Sequence, residues 1–239
     1  MLVPHVFVDP DDCSADGVWL RGDVAHHLLT VLRRGTGDGV DLADGTGVVR
    51  HGVIRQVGRG QAWCDVVGRR DVPLRLPRVR VVCGLPRQRK LDEVVQRLTE
   101  LGVDEIVPAH TERSHVRLEG VRAQRARGRW QAVARAAAGQ SRRARRPEVA
   151  AVTSWPSAFA GAEHGVVFWE EATDPLHAVA FDDLAETVTV GIGPEGGLTA
   201  YEVAVAGLHA VRLGDTILRT ETASVVAPSL VLHRLGRLG

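Results

Sequence analysis

The residue types best suited to chemistry lie late in the chain. In VGIGPEGGLTAYE (190–202) four glycines and a proline surround one carboxylate, Glu195, and about twenty residues further on LGDTILRTETA (213–223) carries Arg219 and Glu221. Gly191, Gly193 and Gly196 have G-x-G-x-x-G spacing after an apolar run and before a predicted helix, and Asp215 follows 19 residues after Gly196. That is nearly the fingerprint of a dinucleotide loop, whose backbone amides hold a pyrophosphate. An NAD(P)-dependent oxidoreductase is therefore one reading. Three features oppose it. Pro194 removes an amide donor at the centre of the motif, only 43 residues follow Gly196, and the fingerprint leaves TILRTETA unexplained. No G-K-[ST] completes a phosphate-binding P-loop. A plain strand-to-helix turn accounts for Thr199 and Glu202 as a capping box. It does not require so many glycines around Glu195, whereas backbone that approaches a ligand at a strand's C-terminal end does.

Charge supplies a second signal. The net charge is +1, yet 29 of the 30 basic residues are Arg, the exception being Lys90, and residues 113–146 hold eleven Arg against one acid, Glu119. A solvated face in an Arg-rich sequence is the plainer account. Guanidinium forks that bind phosphate oxygens and stack on bases make a nucleic-acid surface the functional one. Cys13, Cys64 and Cys83 are widely spaced, with no C-x-x-C and no His partners at ligand spacing, so buried inert thiols are expected and no metal site. No apolar run reaches membrane-span length, and the first residues are acidic where a signal peptide is basic, which predicts a cytoplasmic protein.

These groups need elements to position them. The first seventy residues alternate glycine turns with β-type runs (VDLAD, VVRHGVIRQV, AWCDVVG), as in a small barrel or sandwich. One helix interrupts them, VAHHLLTVLRR, with Asp23 as N-cap and Val24, Leu28, Val31 and Leu32 as its apolar stripe. Pro73 and Pro77 mark a linker over residues 70–78. Beyond it strands and helices alternate: a buried strand at 79–85, a helix at 90–101 stopped by Gly102, a strand VDEIVPA, a helix around Trp130–Gln140, then strands in VVFWEE, TVTVGIG and AVRLG. A last helix contains Pro228, expected to kink it. The pattern implies an α/β domain with a mostly parallel sheet.

IGPEGGLT followed by LGDTILRTETA resembles the small-subunit ribosomal RNA uridine-N3 methyltransferases, the RsmE family of the SPOUT superfamily. The similarity extends to HHLLTVLRRGTGD, RQRKLDEVVQRLTELGVDEIVPAHTERS and RWQAVARAAAGQSRRARRPEV. The resemblance implies a PUA-like β-barrel RNA-binding domain over residues 1–72 and a SPOUT methyltransferase domain with a trefoil knot over 73–239. It implies a homodimer that binds S-adenosyl-L-methionine and methylates N3 of a uridine in 16S rRNA of the small ribosomal subunit.

Carried onto this sequence, the cofactor pocket comprises Trp169, Gly193, Pro194, Glu195, Gly196, Gly197, Leu213, Gly214, Ile217, Leu218 and Thr220. Arg219 is expected to stabilise the developing uracil anion, and Glu221 or Glu195 to accept the N3 proton. RNA contacts fall to His26, His27, Arg33 and Arg34 in the small domain, and to Gln140, Arg142, Arg143, Arg145 and Arg146 beside the active site. Relatives commonly carry an Arg near the first strand, where this chain has Pro4-His5-Val6-Phe7. A third reading keeps the barrel and the Arg patch as a non-catalytic RNA-binding protein.

Overall fold

Alternating burial along the glycine-punctuated runs of the first seventy residues builds one sheet, and valine-rich runs further on build another. The structure is a computed structural model and describes residues 3–14, 16–87, 90–181 and 185–239; Gln88 and Arg89 of the RQRK stretch lie outside them. The chain divides into two compact units, one of 1–74 with 138–146 and one of 75–137 with 147–239.

The first unit contains β1 (His5–Phe7), β2 (Gly17–Leu20), α1 (Gly22–His26), β3 (Gly39–Ala43), β4 (Val48–Gly58) and β5 (Gln61–Asp71). Their order in the sheet is β1-β3-β4-β5-β2, with β1 parallel to β3 and the other pairs antiparallel. Val18, Leu20, Val40, Leu42 and Ile54 point into one core with Cys64. Neither the expected N-cap of α1 nor its full stripe is observed. The cap position is Arg21, and Asp23 sits in the first turn, where its charge favours the helix dipole. At His27–Val31 the helix widens to a π-turn, closed by Leu32 N–H to His27 O at 2.9 Å. The extra residue rotates the rest of the turn, so Leu28 stays buried while Val31 and Leu32 face solvent.

The second unit contains β6 (Arg78–Gly84), α2 (Lys90–Leu101), β7 (Glu105–His110), most of α3 (Gly120–Gln140), β8 (Glu148–Val149), β9 (Thr153–Ser154), α4 (Trp155–Ala158), β10 (Gly165–Phe168), β11 (Thr187–Ile192), α5 (Ala200–Ala206), β12 (His209–Val211) and α6 (Thr220–Arg234). Every strand pair in its sheet is parallel, in the order β12-β10-β11-β6-β7-β8, with β9 also against β7. The central strands β6 and β11 are buried on both faces, which is why they read as valine runs. The order reverses between them: β7 lies on one side of β6, while β10, β11 and β12 lie on the other. Ligands of open parallel sheets bind at such a reversal, beyond the strands' C-terminal ends.

The sequence places α2 within its observed limits, with Leu91, Val94, Val95 and Leu98 buried. By contrast α3 starts ten residues before Trp130, because its buried stripe begins with the small Ala126 inside the Arg-rich stretch and continues through Trp130, Ala134 and Ala137. Pro228 is accommodated within α6 and buried. Burial pushes the thiols of Cys64 and Cys83 up to about 11 and about 12, so both are inert, whereas Cys13 is partly exposed. Among the described residues no helix is long and apolar enough to cross a membrane.

Beyond α6, Arg237 turns back under the sheet. Its guanidinium bonds both Asp104 oxygens (2.6 and 3.3 Å) and the carbonyls of Pro77 (2.8 Å) and Gly102 (2.9 Å), and Asp104 also accepts the Val79 N–H. Both side chains are buried, at 8% and 9% exposure. Removing one partner strands a buried charge, so Arg237→Met should lower unfolding free energy by about 3–5 kcal/mol in urea titrations.

Candidate active site

The loop after β11 is packed too tightly for side chains. A Cβ on Gly191 would lie 2.8 Å from Phe159 Cζ, one on Gly193 2.9 Å from Leu198 Cγ, and one on Gly196 2.8 Å from Arg113 Cβ. Close packing of protein groups thus accounts for all three fingerprint glycines. The start of the following helix already carries a carboxylate. Thr199 and Glu202 form the expected capping box at the start of α5, and the buried Glu202 carboxylate accepts N–H bonds from Thr199 (2.9 Å) and Glu112 (2.7 Å). The glycine spacing is therefore accounted for without a dinucleotide.

A turn closed by Gly197 N–H to Pro194 O (2.9 Å) instead aims Glu195 towards a cavity of about 510 Å³. Gly197 has φ of 73°, and a Cβ on it would collide with the Glu170 carboxylate. Three parallel strands end at this cavity: β10 at Phe168 and Trp169, β11 at Ile192 and Gly193, and β12 just before Arg212 and Leu213. The segment from Gly214 to Thr220 and the first turn of α6 form the remaining wall. Of the residues expected around a cofactor, Trp169, Gly193, Pro194, Glu195, Gly197, Leu213, Gly214, Ile217, Leu218 and Thr220 all line it, as do Arg219 and Glu221. Gly196 does not. It lies against Arg113, whose Nη1 donates to the Gly196 and Leu198 carbonyls (3.1 and 3.4 Å).

Asp215 and Thr216, to which the sequence assigns no role, also line the cavity, as do Glu170 and above all Lys90, which sequence reasoning left out. The chain's single lysine bridges the two candidate bases, with Nζ 3.3 Å from Glu195 and 3.1 Å from Glu221. Arg87 N–H donates to both Glu195 oxygens at 3.1 Å. The Glu221 carboxyl is held below the usual carboxylate range, first by its own backbone N–H at the start of α6 and then by Lys90. Bonds to Glu221 and then Glu195 raise the Lys90 ammonium above its ordinary value. The Lys90–Glu221 pair is therefore charged at neutral pH. It is lost when pH falls through the depressed carboxyl value or rises through the raised ammonium value. Arg219 occupies the N-cap position of α6, and its exposed guanidinium has no hydrogen-bond or ion-pair partner among the described residues. Trp169 Nε1 is buried and likewise lacks a partner among them.

In the first unit, the cationic positions divide between strapping and exposure. Arg142, at φ 58°, donates to Val3 O (2.8 Å) and to Asp41 (3.2 Å), while Arg145 donates twice to Val72 O (3.2 and 2.9 Å). The Arg143 carbonyl pairs with His5 Nε2 at 3.0 Å, and burial lowers the His5 pKa. These contacts bind residues 138–146 to the five-stranded sheet and leave Gln140 and Arg146 at the surface. His26, His27 and Arg33 are exposed, and Arg34 pairs with Asp38 at 3.7 Å.

Residues 73–232 match the RNA methyltransferase domain family, and residues 20–67 the RNA methyltransferase PUA domain family. Ribosomal RNA small subunit methyltransferase E of Mycobacterium tuberculosis is 38% identical over 216 residues, spanning 86% of this chain and 82% of that protein. The chain belongs to the ribosomal RNA small subunit methyltransferase E family. Its Bacillus subtilis relative is 31% identical over 228 residues, 90% of this chain and 89% of that one. The crystal structure of the Neisseria gonorrhoeae member bound to S-adenosyl methionine has 27% identity and a TM-score of 0.84, with 98% of both chains covered. In this member of the methyltransferase E family the five-stranded unit is thus PUA-like and the parallel-sheet unit is the RNA methyltransferase domain.

If Lys90 depresses Glu221 as the geometry shows, Glu221 in Lys90→Met should titrate at higher pH than in the wild type by carboxyl-detected NMR. An unmoved titration would remove Lys90 from that role.

Proposed function

We propose that this chain transfers a methyl group from S-adenosylmethionine to N3 of an unpaired uridine in 16S rRNA of the small ribosomal subunit. The observation that carries this reading is the 510 Å³ cavity, most of whose lining comes from the two segments IGPEGGLT and LGDTILRTETA. Relatives named for small-subunit rRNA methylation, one of them solved with S-adenosyl methionine, support it.

The residues present fit that cofactor. The volume lies in the range of small-molecule sites, roughly 300–1,000 Å³. Ile192, Leu213, Ile217 and Leu218 offer apolar cover for a purine, the unpartnered Trp169 Nε1–H offers a donor, and the carboxylates of Glu170, Glu195 and Glu221 suit a cationic ligand. When bound, S-adenosylmethionine supplies an electrophilic methyl group on a sulfonium with a neutral leaving group.

The chain's own residues do the rest. Uracil N3 lies on the Watson–Crick edge and carries a weakly acidic proton, so the base must be unpaired and must lose that proton. Arg219, unpaired at the cavity wall and permanently charged, donates to a uracil oxygen and stabilises the anion that develops. Glu221's own backbone N–H and Lys90 favour its charged form, and Glu195, on the glycine turn at the cavity, is the proposed proton acceptor. Lys90 holds the two carboxylates apart in fixed positions. Exposed His26, His27, Arg33, Gln140 and Arg146 are the proposed RNA contacts, with Arg34, Arg142, Arg143 and Arg145 bracing them. We place this activity in the cytoplasm and in a homodimer, whose contact would cover Ile217, 88% exposed beside the cavity.

S-adenosylmethionine should raise the unfolding temperature, and NAD should not. Small subunits from cells lacking this protein should gain one methyl group at uridine N3 by mass mapping; a methyl on carbon 5, on a ribose or on a guanine would overturn the assignment. Arg219→Ala should lower kcat by about 10²–10³-fold, with the Kd for S-adenosylmethionine unchanged. Sedimentation should report a dimer, and a monomer at working concentrations would remove that part of the proposal.

A further inference from the structure

A second concavity, of about 240 Å³, adjoins the segment that carries Arg87 and Lys90. Leu85 and Pro86 from the end of β6, Leu91 of α2, Val116 and Leu118 of the loop between β7 and α3, and Trp130 of α3 give it an apolar lining, and Ala126 forms part of its α3 side. Three arginines on one face of α3 stand at its rim, at positions 122, 125 and 129. Asp92 occupies one of them: its carboxylate accepts from Arg129 Nε (3.1 and 3.0 Å) and from Trp130 Nε1 (2.9 Å). Arg122 and Arg125 are exposed, and their side chains have no hydrogen-bond or ion-pair partner among the described residues.

An apolar slot rimmed by two unengaged guanidiniums has the chemistry of a nucleotide site. A nucleobase presents apolar faces to the slot, and its phosphodiesters present acceptors to the arginines. An uncharged apolar partner would leave both guanidiniums without acceptors. The slot also shares a chain segment with the larger cavity. Pro86 immediately precedes Arg87, whose N–H holds Glu195, and Leu91 immediately follows Lys90, which bridges Glu195 and Glu221.

We propose that this slot takes an unstacked base next to the nucleotide being methylated, with Arg122 and Arg125 on the flanking phosphates. The inference rests on the RNA methyltransferase reading and adds to it a nucleotide subsite outside the cofactor cavity. Exposing N3 of one uridine requires its stack to be opened, and holding a neighbouring base in an apolar slot keeps it open.

Fluorescence anisotropy with a labelled uridine decamer, and with a decamer of the same backbone lacking bases, tests it. Wild-type protein should bind the uridine decamer about tenfold more tightly than the abasic one. Val116→Trp, which fills the slot without changing charge, should abolish that preference. Arg122→Ser with Arg125→Ser should weaken both decamers and reduce the slope of log affinity against log salt by about 1.4, two contacts at roughly 0.7 each. Unfolding temperature and S-adenosylmethionine affinity, unchanged in these variants, show that the fold and the cavity are intact. A preference for bases that survives Val116→Trp would overturn the proposal. So would a loss confined to the arginine variant, which would mean a phosphate-facing surface with no base in the slot, or a uridine decamer bound no better than the abasic one, the result expected if a ribosomal protein side chain is the occupant. Methyl transfer by the wild type to unmodified small subunits is read separately, so failure of the subsite and failure of the enzymatic reading are distinguishable.

Discussion

Gly84 and Pro194 meet where the parallel sheet reverses its order. A Cβ on Gly84 would lie 2.5 Å from Pro194 Cδ and 2.7 Å from Pro194 N, so two backbone segments touch with no side chain between them. That approach lets the loop after β11 fold across the end of β6 and carry Glu195 within reach of Lys90 and of the Arg87 amide. It also explains the run of glycines around a proline. Each glycine answers a separate steric demand: Phe159 against Gly191, Leu198 against Gly193, Arg113 against Gly196, and a left-handed turn at Gly197. A pattern shared with dinucleotide loops thus arises here from protein packing against protein.

Electrostatics at the cavity is organised by one ammonium. In a chain whose other cations are all guanidiniums, Lys90 is the compact charge that fits between two carboxylates from distant segments. A planar fork of five donors would favour one carboxylate bidentately, whereas an ammonium shares its donors freely. The consequence is a division of labour between Glu221, committed to its helix terminus and to Lys90, and Glu195, held by backbone and Lys90 on a glycine turn.

Much of this architecture is legible in the sequence. Strands buried on both faces and the one-sided stripe of α2 follow directly from periodicity, and the two late motifs mark most of the cavity wall. The features that escaped have physical reasons. The π-turn after His26 shifts the register of α1, which no spacing rule with a fixed period detects. The start of α3 was hidden because Ala126 is a small residue among arginines. Lys90 reaches Glu195 and Glu221 across more than a hundred positions, a proximity created by the sheet's reversal, and its only local signal was being the lone lysine. Gly196 shares its neighbours' composition yet faces Arg113, since a glycine's type says that something is close without saying what.

The buried tie between Asp104 and Arg237 joins positions 133 residues apart, and α6, which closes the cavity, ends only at Arg234. During synthesis the N-terminal five-stranded sheet has most of its residues long before the last helix emerges. The cavity, by contrast, cannot form until α6 has emerged. A nascent copy whose α6 is still inside the exit tunnel therefore lacks the wall that the first turn of this helix supplies.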